Sequence, residues 1–127
     1  MKRIAIPALS IFLAAGLISC GDDSSGVIGK TMQNIENESL PGAEPTRREC
    51  GSCHYLDKNV RKVGPSLKGI FGQAPKNRAI PVEVWDENTL NVWIENPTLV
   101  HPETRMKVPG LKDAAMRAQI IEYLKKI

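Results

Sequence analysis

The last fifteen residues of this 127-residue chain carry apolar side chains at helical spacing. Asp113 precedes the pattern and is a suitable N-cap. The residues that share one apolar face are Met116, Ile120, Tyr123, Leu124 and Ile127. This pattern predicts an amphipathic helix that packs its apolar face on a core.

Two further helices are indicated upstream. One runs through Trp93 to Glu95, starts at Asp86 or Asn88 as N-cap, and stops before Asn96-Pro97. The other starts or restarts at Thr46, because Thr46-Arg47-Arg48-Glu49 matches a capping box. With no clear strand pattern, the chain is predicted to be all-α, with three or four short helices and long loops.

The first twenty residues have the layout of an export signal. A basic start is followed by a 15-residue apolar stretch, Ile4 to Ile18, which is short for a bilayer span. It ends in Leu17-Ile18-Ser19-Cys20, which resembles a bacterial lipobox. The resemblance implies a signal peptide over residues 1–19 and a lipid on Cys20. Plain secretion and an uncleaved anchor are the alternatives, and all three export the domain. With the lipid on Cys20, the domain would be anchored to a bacterial membrane on its periplasmic or outer face.

Residues 20–41 are rich in Gly, Ser, Asn and Glu and are predicted to be a flexible acidic tether. Residues 42–127 are predicted to form the folded domain. From residue 46 onward, 14 basic and nine acidic residues give a diffuse positive excess. We expect no nucleic acid partner and a monomeric protein. The excess could dock an acidic protein, or could be ordinary solvated charge.

The chemistry of the chain is concentrated in Cys50-Gly51-Ser52-Cys53-His54, a C-x-x-C-H motif. Two thiols about one helical turn apart can add to the two vinyl groups on one edge of a haem, and the histidine can then reach the iron. A thioredoxin-like site, half a zinc site and a structural disulfide are the alternatives. The first lacks a surrounding strand pattern, and the second lacks another thiol pair.

A second protein ligand to the iron is expected in an electron carrier. The candidates are Met32, Met106, Met116 and His101. Met32 lies in the tether and Met116 fits a helix core, whereas Met106 lies in a proline-flanked loop. A Met ligand would raise the reduction potential, and ligation by His101 would lower it.

Several motifs, in the same order along the chain, resemble class I cytochrome c from about Gly42 to the end. They are Gly64 to Gly72 after the haem motif, Trp85, Trp93 to Pro97, Thr104-Arg105-Met106, and Ile120 to Lys126. The resemblance implies that His54 and Met106 ligate the iron and that the Pro65 carbonyl accepts a hydrogen bond from His54 Nδ1–H. It further implies that Trp85 binds a haem propionate.

The chain departs from the family pattern at two points that bear on its packing and its site. Thr46 stands where an aromatic residue is usual, and Pro45 interrupts the first helix, so we expect a thin or rebuilt contact with the last helix. Gln73 stands where mitochondrial forms place an arginine near a propionate.

Together these features predict a cytochrome c fold wrapped around one haem c, covalently bound through Cys50 and Cys53. The function implied is single-electron transfer, not enzymatic turnover, with a respiratory complex, oxidase or reductase as partner. A docking ring could include Lys58, Lys62, Lys68 and Lys107. The alternative is a peroxidase or ligand-binding haem domain with an open or His-ligated sixth site.

Overall fold

The computed structural model describes residues 35–127, and that part of the chain contains helices and no strand. The all-α prediction is therefore confirmed. Residues 35–39 are helical, and four complete helices follow. These are α1 (Ala43–Cys50), α2 (Glu87–Glu95), α3 (Pro97–Val100) and α4 (Ala114–Leu124). The predicted signal peptide, the lipidation site Cys20, the first part of the tether and Met32 lie outside the described residues.

Helix α1 begins earlier than the sequence indicates. Its N-cap is Gly42, with φ 88°, and Pro45 lies in its first turn. Proline is tolerated there because the first N–H groups of a helix have no intrahelical partner. The predicted start at a Thr46 capping box is wrong. Thr46 lies inside the helix, and its hydroxyl donates to the Gly42 carbonyl oxygen at 2.6 Å.

Helices α1 and α4 pack directly on each other. A methyl group added to Gly42 would overlap the carbonyl oxygen of Gln119 and lie 3.1 Å from Tyr123 Cβ. Thr46 is fully buried beside this crossing. The contact is thus rebuilt with small residues, which let the two backbones approach closely without an aromatic ring at position 46.

Helix α2 starts at Asp86, one of the two predicted caps. Asp86 Oδ1 accepts a hydrogen bond from the Thr89 backbone N–H at 2.8 Å, and Thr89 Oγ1 accepts one from the Asp86 N–H at 2.9 Å. Hydrogen bonding from Thr89 holds the pKa of Asp86 below its usual value. The helix stops at Glu95 as predicted, since Asn96 is extended and caps α3.

Helix α4 begins after Asp113, whose side chain accepts a hydrogen bond from the Met116 N–H at 3.0 Å. This start was predicted. Of the predicted apolar face, Ile120, Tyr123 and Leu124 are buried, and Met116 and Ile127 lie at the margin of the core.

The core lies where α1 and α2 meet α4. The rings of Trp85 and Trp93 pack edge to face there, with centroids 5.3 Å apart. Its buried apolar residues are Ala43, Trp85, Leu90, Trp93, Ile120, Ile121, Tyr123 and Leu124. Leu40 packs against this core, and residues 35–39 are helical, so ordered structure extends into the last part of the predicted tether.

Residues 51–86 contain no helix or strand. Single backbone hydrogen bonds fasten this segment, such as Leu67 N–H to Tyr55 O at 2.9 Å and Gly69 N–H to Ile127 O at 2.9 Å. A connection of this length in a small domain is uncommon and usually serves a binding function. No helix among residues 35–127 is long and apolar enough to cross a membrane.

Candidate haem site

The C-x-x-C-H motif sits at the end of α1. Cys50 is the last residue of the helix, and its carbonyl accepts hydrogen bonds from the N–H groups of Cys53 and His54 at 3.1 and 2.9 Å. This turn continues the helical spacing, so the two cysteines lie one turn apart and the imidazole follows directly. Both cysteines are half-buried free thiols, and no disulfide joins them.

Burial, with a smaller contribution from the Glu49 carboxylate, raises the pKa of the Cys50 thiol to about 11. A thioredoxin-like site needs the opposite, because its attacking cysteine works as a thiolate with a lowered pKa. Cys50 is protonated at neutral pH. A thiol with so high a pKa does not suit disulfide exchange.

His54 is oriented by the carbonyl of Pro65. The distance from His54 Nδ1 to Pro65 O is 2.6 Å. A carbonyl only accepts hydrogen bonds, so Nδ1 must carry the proton and Nε2 is left with its lone pair. This hydrogen bond is the one implied by the family resemblance, and it prepares Nε2 to bind a metal.

Gly64 contributes to the site in a way that the sequence did not reveal. A methyl group added there would overlap His54 Cε1 and lie 2.7 Å from His54 Nδ1. Val63 and Gly64 donate their N–H groups to the Cys53 carbonyl at 3.1 and 2.8 Å. The backbone therefore folds back over the motif and lies against the face of the imidazole. The available signal was the glycine next to Pro65, which by itself is compatible with any turn.

Met106 lies between α3 and α4, half-buried and packed against the core. Its N–H donates to Thr104 Oγ1 at 3.2 Å, and Thr104 is buried. The neighbouring candidate, His101, is half-buried and caps the C-terminal end of α3. The other candidate within the described residues, Met116, is on α4, where its sulfur lies 3.4 Å from Arg48 Nη2. Met116 is thereby occupied in the α1–α4 contact.

Trp85 approaches the core from the long segment without helices. Its backbone is fastened on both sides, because its N–H donates to Gln73 O and its carbonyl accepts from Gly72 N–H, both at 2.8 Å. Trp85 as a whole is 6% exposed. Gln73 itself is exposed, and the propionate contact of Trp85 stays a prediction.

The residues present fit a haem group. Eight apolar residues are buried in the described part of the chain, whereas thirteen more pack against them only partly buried. Most of these thirteen come from residues 51–86 and from residues 94–111, which run from the end of α2 through α3 into the loop before α4. Their surface would be covered by a flat apolar macrocycle, and the two thiols, the oriented imidazole and the Met106 thioether match the donor set of a haem c. The residues concerned include Leu56, Leu67, Ile70, Phe71, Ile80, Val82, Ile94 and Leu111.

Comparison with known proteins decides the family. No protein-family model matches the chain. Curated proteins named cytochrome c do match, among them one from Sesamum indicum that is 38% identical over 98 residues. That alignment covers 67% of this chain and 86% of the relative. The chain belongs to the cytochrome c family.

Other members of the family agree with this assignment. Cytochrome c from Gossypium barbadense is also 38% identical over 98 residues, covering 67% of this chain and 86% of the relative. Cytochrome c from Euglena viridis is 36% identical over 89 residues, covering 61% and 84%. The predicted family is therefore confirmed. As a cytochrome c, this chain is an electron carrier, not an enzyme, and its cofactor is one covalently bound haem c.

Lysine side chains surround the motif of this cytochrome c. The Nζ atoms of Lys58 and Lys62 lie 5.3 and 5.5 Å from the centre of the Tyr55 ring. Lys62 Nζ also donates to the Gly51 carbonyl at 2.7 Å, inside the motif itself. Lys68 Nζ donates to Asp57 O at 3.3 Å. Three of the four lysines named for docking thus lie on one segment, and the fourth, Lys107, lies beside Met106.

Proposed function

We propose that this cytochrome c is a membrane-anchored carrier that passes single electrons between respiratory redox proteins. In this proposal Cys50 and Cys53 would hold the haem, and His54 and Met106 would be the protein ligands of its iron. The observation that carries it is the 2.6 Å hydrogen bond from His54 Nδ1 to Pro65 O, with Gly64 against the same ring. These contacts favour a permanent ligand over a side chain that must move.

A bound haem supplies a one-electron couple, and the protein's part is to keep both ligands in place in either oxidation state. His54 keeps its proton on Nδ1, because Pro65 O accepts a hydrogen bond from Nδ1–H in both oxidation states. Thr104 Oγ1 fixes the backbone of Met106. No proton transfer and no change of partner are required of these residues, so electron exchange needs little rearrangement.

The lysines beside the motif support docking of a redox partner with an acidic face. Lys58, Lys62 and Lys68 are exposed, and their ammonium groups contact the Tyr55 ring or backbone carbonyls. No carboxylate lies within ion-pair distance of these three among the described residues. Their charge is therefore available to steer an acidic partner. A monomer suits such a carrier.

The lipobox-like sequence before Cys20 supports an anchor on a bacterial membrane, facing the periplasm or the outside. The fourteen residues between Cys20 and residue 35 could reach at most about 50 Å when fully extended. That range would let the domain work close to membrane-bound partners. Cys20→Ser is expected to move the haem protein from the membrane fraction to the soluble fraction, and unchanged fractionation would contradict the anchor.

Spectroscopy of the ferric holoprotein tests the ligand assignment. Wild-type protein should show the weak far-red charge-transfer band of a Met–haem bond, and Met106→Ala should abolish it because the thioether is lost. The matched control is Met116→Leu, which changes a core thioether for a side chain of similar volume and should keep the band.

A wild-type spectrum without the band would reject Met106 as ligand. A low-spin spectrum would then favour His101 in the sixth position. A high-spin spectrum would favour an open site and the peroxidase or ligand-binding alternative.

A further inference from the structure

The loop that carries Met106 starts and ends at the same place, the C-terminal end of α2. We call residues 97–110 the methionine loop. At its start, Asn96 Oδ1 accepts hydrogen bonds from Leu99 N–H at 3.2 Å and Thr98 Oγ1 at 2.9 Å. Just after its end, Leu111 N–H donates to the Ile94 carbonyl at 2.9 Å. The last turn of α2 therefore holds both ends of the loop.

The returning end of the loop is in tight contact with α2. Gly110 has φ 77°, and a methyl group added there would overlap the Glu95 carbonyl oxygen and lie 3.2 Å from Asn96 Cα. Lys112 Nζ donates to the same Glu95 carbonyl at 3.0 Å. Nothing larger than glycine fits this return, so the closure of the loop depends on close backbone packing.

Arg117 joins this closure to α4. Its Nη1 donates to the carbonyls of Leu111 and Lys112 at 2.8 and 2.9 Å, and its Nε donates to Asn91 Oδ1 at 2.8 Å. Its Nη2 lies 3.7 Å from Glu95 Oε2. One guanidinium thus binds two residues of α2 and the two residues that follow the methionine loop.

Because the Arg117 side chain is buried, the loss of any of its hydrogen bonds would cost stability. Arg117 is 6% exposed, and a buried cation is stable only when it is paired and hydrogen-bonded. Among the described residues, no buried side-chain nitrogen or oxygen is left without a partner. Lysine at this position would keep the charge but could not reproduce the planar fork that reaches carbonyls and Asn91 together.

We propose that Arg117 is a positioning residue for Met106: it sets how strongly the methionine loop is held closed. The inference rests on the proposed ligation by Met106. To move the thioether away from the iron, the loop must open, and opening is easiest if its end separates from α2. That separation breaks the bonds from Arg117 to Leu111 and Lys112. Arg117 therefore opposes displacement of Met106 by an external ligand.

Imidazole titration of the ferric holoprotein measures this opposition, because imidazole binds only after Met106 has left. Its apparent affinity is the product of the opening equilibrium and the intrinsic affinity. We expect Arg117→Lys and Arg117→Met to bind imidazole about tenfold more tightly than wild type, which corresponds to ~1.4 kcal/mol. Loss of the far-red band as imidazole is added is the signal that reports binding. Asn91→Ala, which loosens Arg117 without removing it, should give an increase of roughly threefold, about half that free energy.

Lys125→Met is the matched control. Lys125 also links α4 to α2, through Glu87, with Glu122 as its second partner, but these ion pairs lie away from the methionine loop. Its imidazole affinity should stay at the wild-type value. Unfolding by denaturant is measured in parallel, since both sets of variants remove a contact between the two helices.

Two results would overturn the inference, and they can be told apart. If the arginine variants and Asn91→Ala lose unfolding free energy but keep the wild-type imidazole affinity, Arg117 only packs α4 on α2. Asn91→Ala decides this point even if the arginine variants do not fold. If wild-type protein itself lacks the far-red band, the proposed Met106 ligation fails first, and the role of Arg117 fails with it.

Discussion

His54 is held by backbone atoms on two sides, by the Pro65 carbonyl at Nδ1 and by Gly64 against the ring. Neither contact comes from a side chain that could rotate away. The orientation of the imidazole is therefore fixed by the path of the chain through residues 63–65, which is itself fastened to Cys53 O. The geometry of this imidazole therefore depends on how closely the backbone can approach it.

Gly64→Ala tests this dependence. The backbone of Gly64 does not have a positive φ, so alanine adds no conformational strain, but its methyl group would collide with the imidazole. We expect a loss of about 1–3 kcal/mol in unfolding free energy, as for other overpacked sites, together with a shifted reduction potential. Denaturant titration and redox potentiometry of the holoprotein measure the two effects.

Gly72→Ala is the control for Gly64→Ala. Gly72 has φ 75°, and a methyl group there meets no atom within 4 Å. Gly72→Ala should therefore lower the unfolding free energy through backbone strain alone and leave the reduction potential unchanged. Equal shifts of potential in both variants would contradict the role assigned to Gly64.

Single residues differ in how far their roles could be predicted. Cys50, Cys53 and His54 lie within five consecutive residues, so their joint chemistry is visible in the sequence, and the Pro65 contact followed from family resemblance. The roles of Gly64 and Arg117 were not predicted. Each depends on partners that the fold brings close from other segments, and neither residue type suggests those partners.

At the scale of the helices, starts that depend on local contacts were predicted correctly. Asp86 and Asp113 each bond to an N–H three residues ahead, which a sequence pattern can reveal. The start of α1 was placed wrongly because Thr46 and Glu49 imitate a local cap, whereas the helix begins after Gly42, which lies in close contact with Gln119. Helix α3 was not predicted, since its four residues carry too little periodicity.

Gly42→Ala should be the most damaging of the glycine changes at a helix. It places alanine at φ 88°, which costs roughly 1–2 kcal/mol, and it pushes α1 away from Gln119, which costs roughly 1–3 kcal/mol more. Urea unfolding should therefore show a loss of about 2–5 kcal/mol. Gly69→Ala, at φ 65° with no atom within 4 Å, should show only the first cost. Similar losses in the two variants would mean that the α1–α4 crossing tolerates a methyl group.

At the scale of the whole molecule, we expect the side chains to supply only part of the apolar core and the haem to supply the rest. Among residues 35–127, more apolar residues lie partly buried at the margin of the core than are buried inside it, and residues 51–86 have no regular structure to stabilise them. Covering this margin would offset the conformational entropy of that segment. The all-α class could be read from the pattern, but the course of residues 51–86 could not, because it carries no periodic signal.

The double variant Cys50→Ser/Cys53→Ser tests how far the fold depends on the attached haem. Without thioether bonds, we expect a largely unfolded chain with weak helical signal in far-UV circular dichroism. The control is His54→Ala, which keeps both cysteines and should retain covalent haem and helical structure better than the double variant. A native-like helical spectrum for the haem-free double variant would show that the protein core suffices.

The contact between Gly42 and Gln119 also has a consequence for the order of events during folding. It joins opposite ends of the domain, so Thr46 is covered only after the final helix has docked on α1. A contact between such distant segments requires a long stretch of chain to be closed into a loop, which slows folding. Because we expect the fold to depend on the attached haem, we also expect the cysteines at the end of α1 to react with haem before this contact forms.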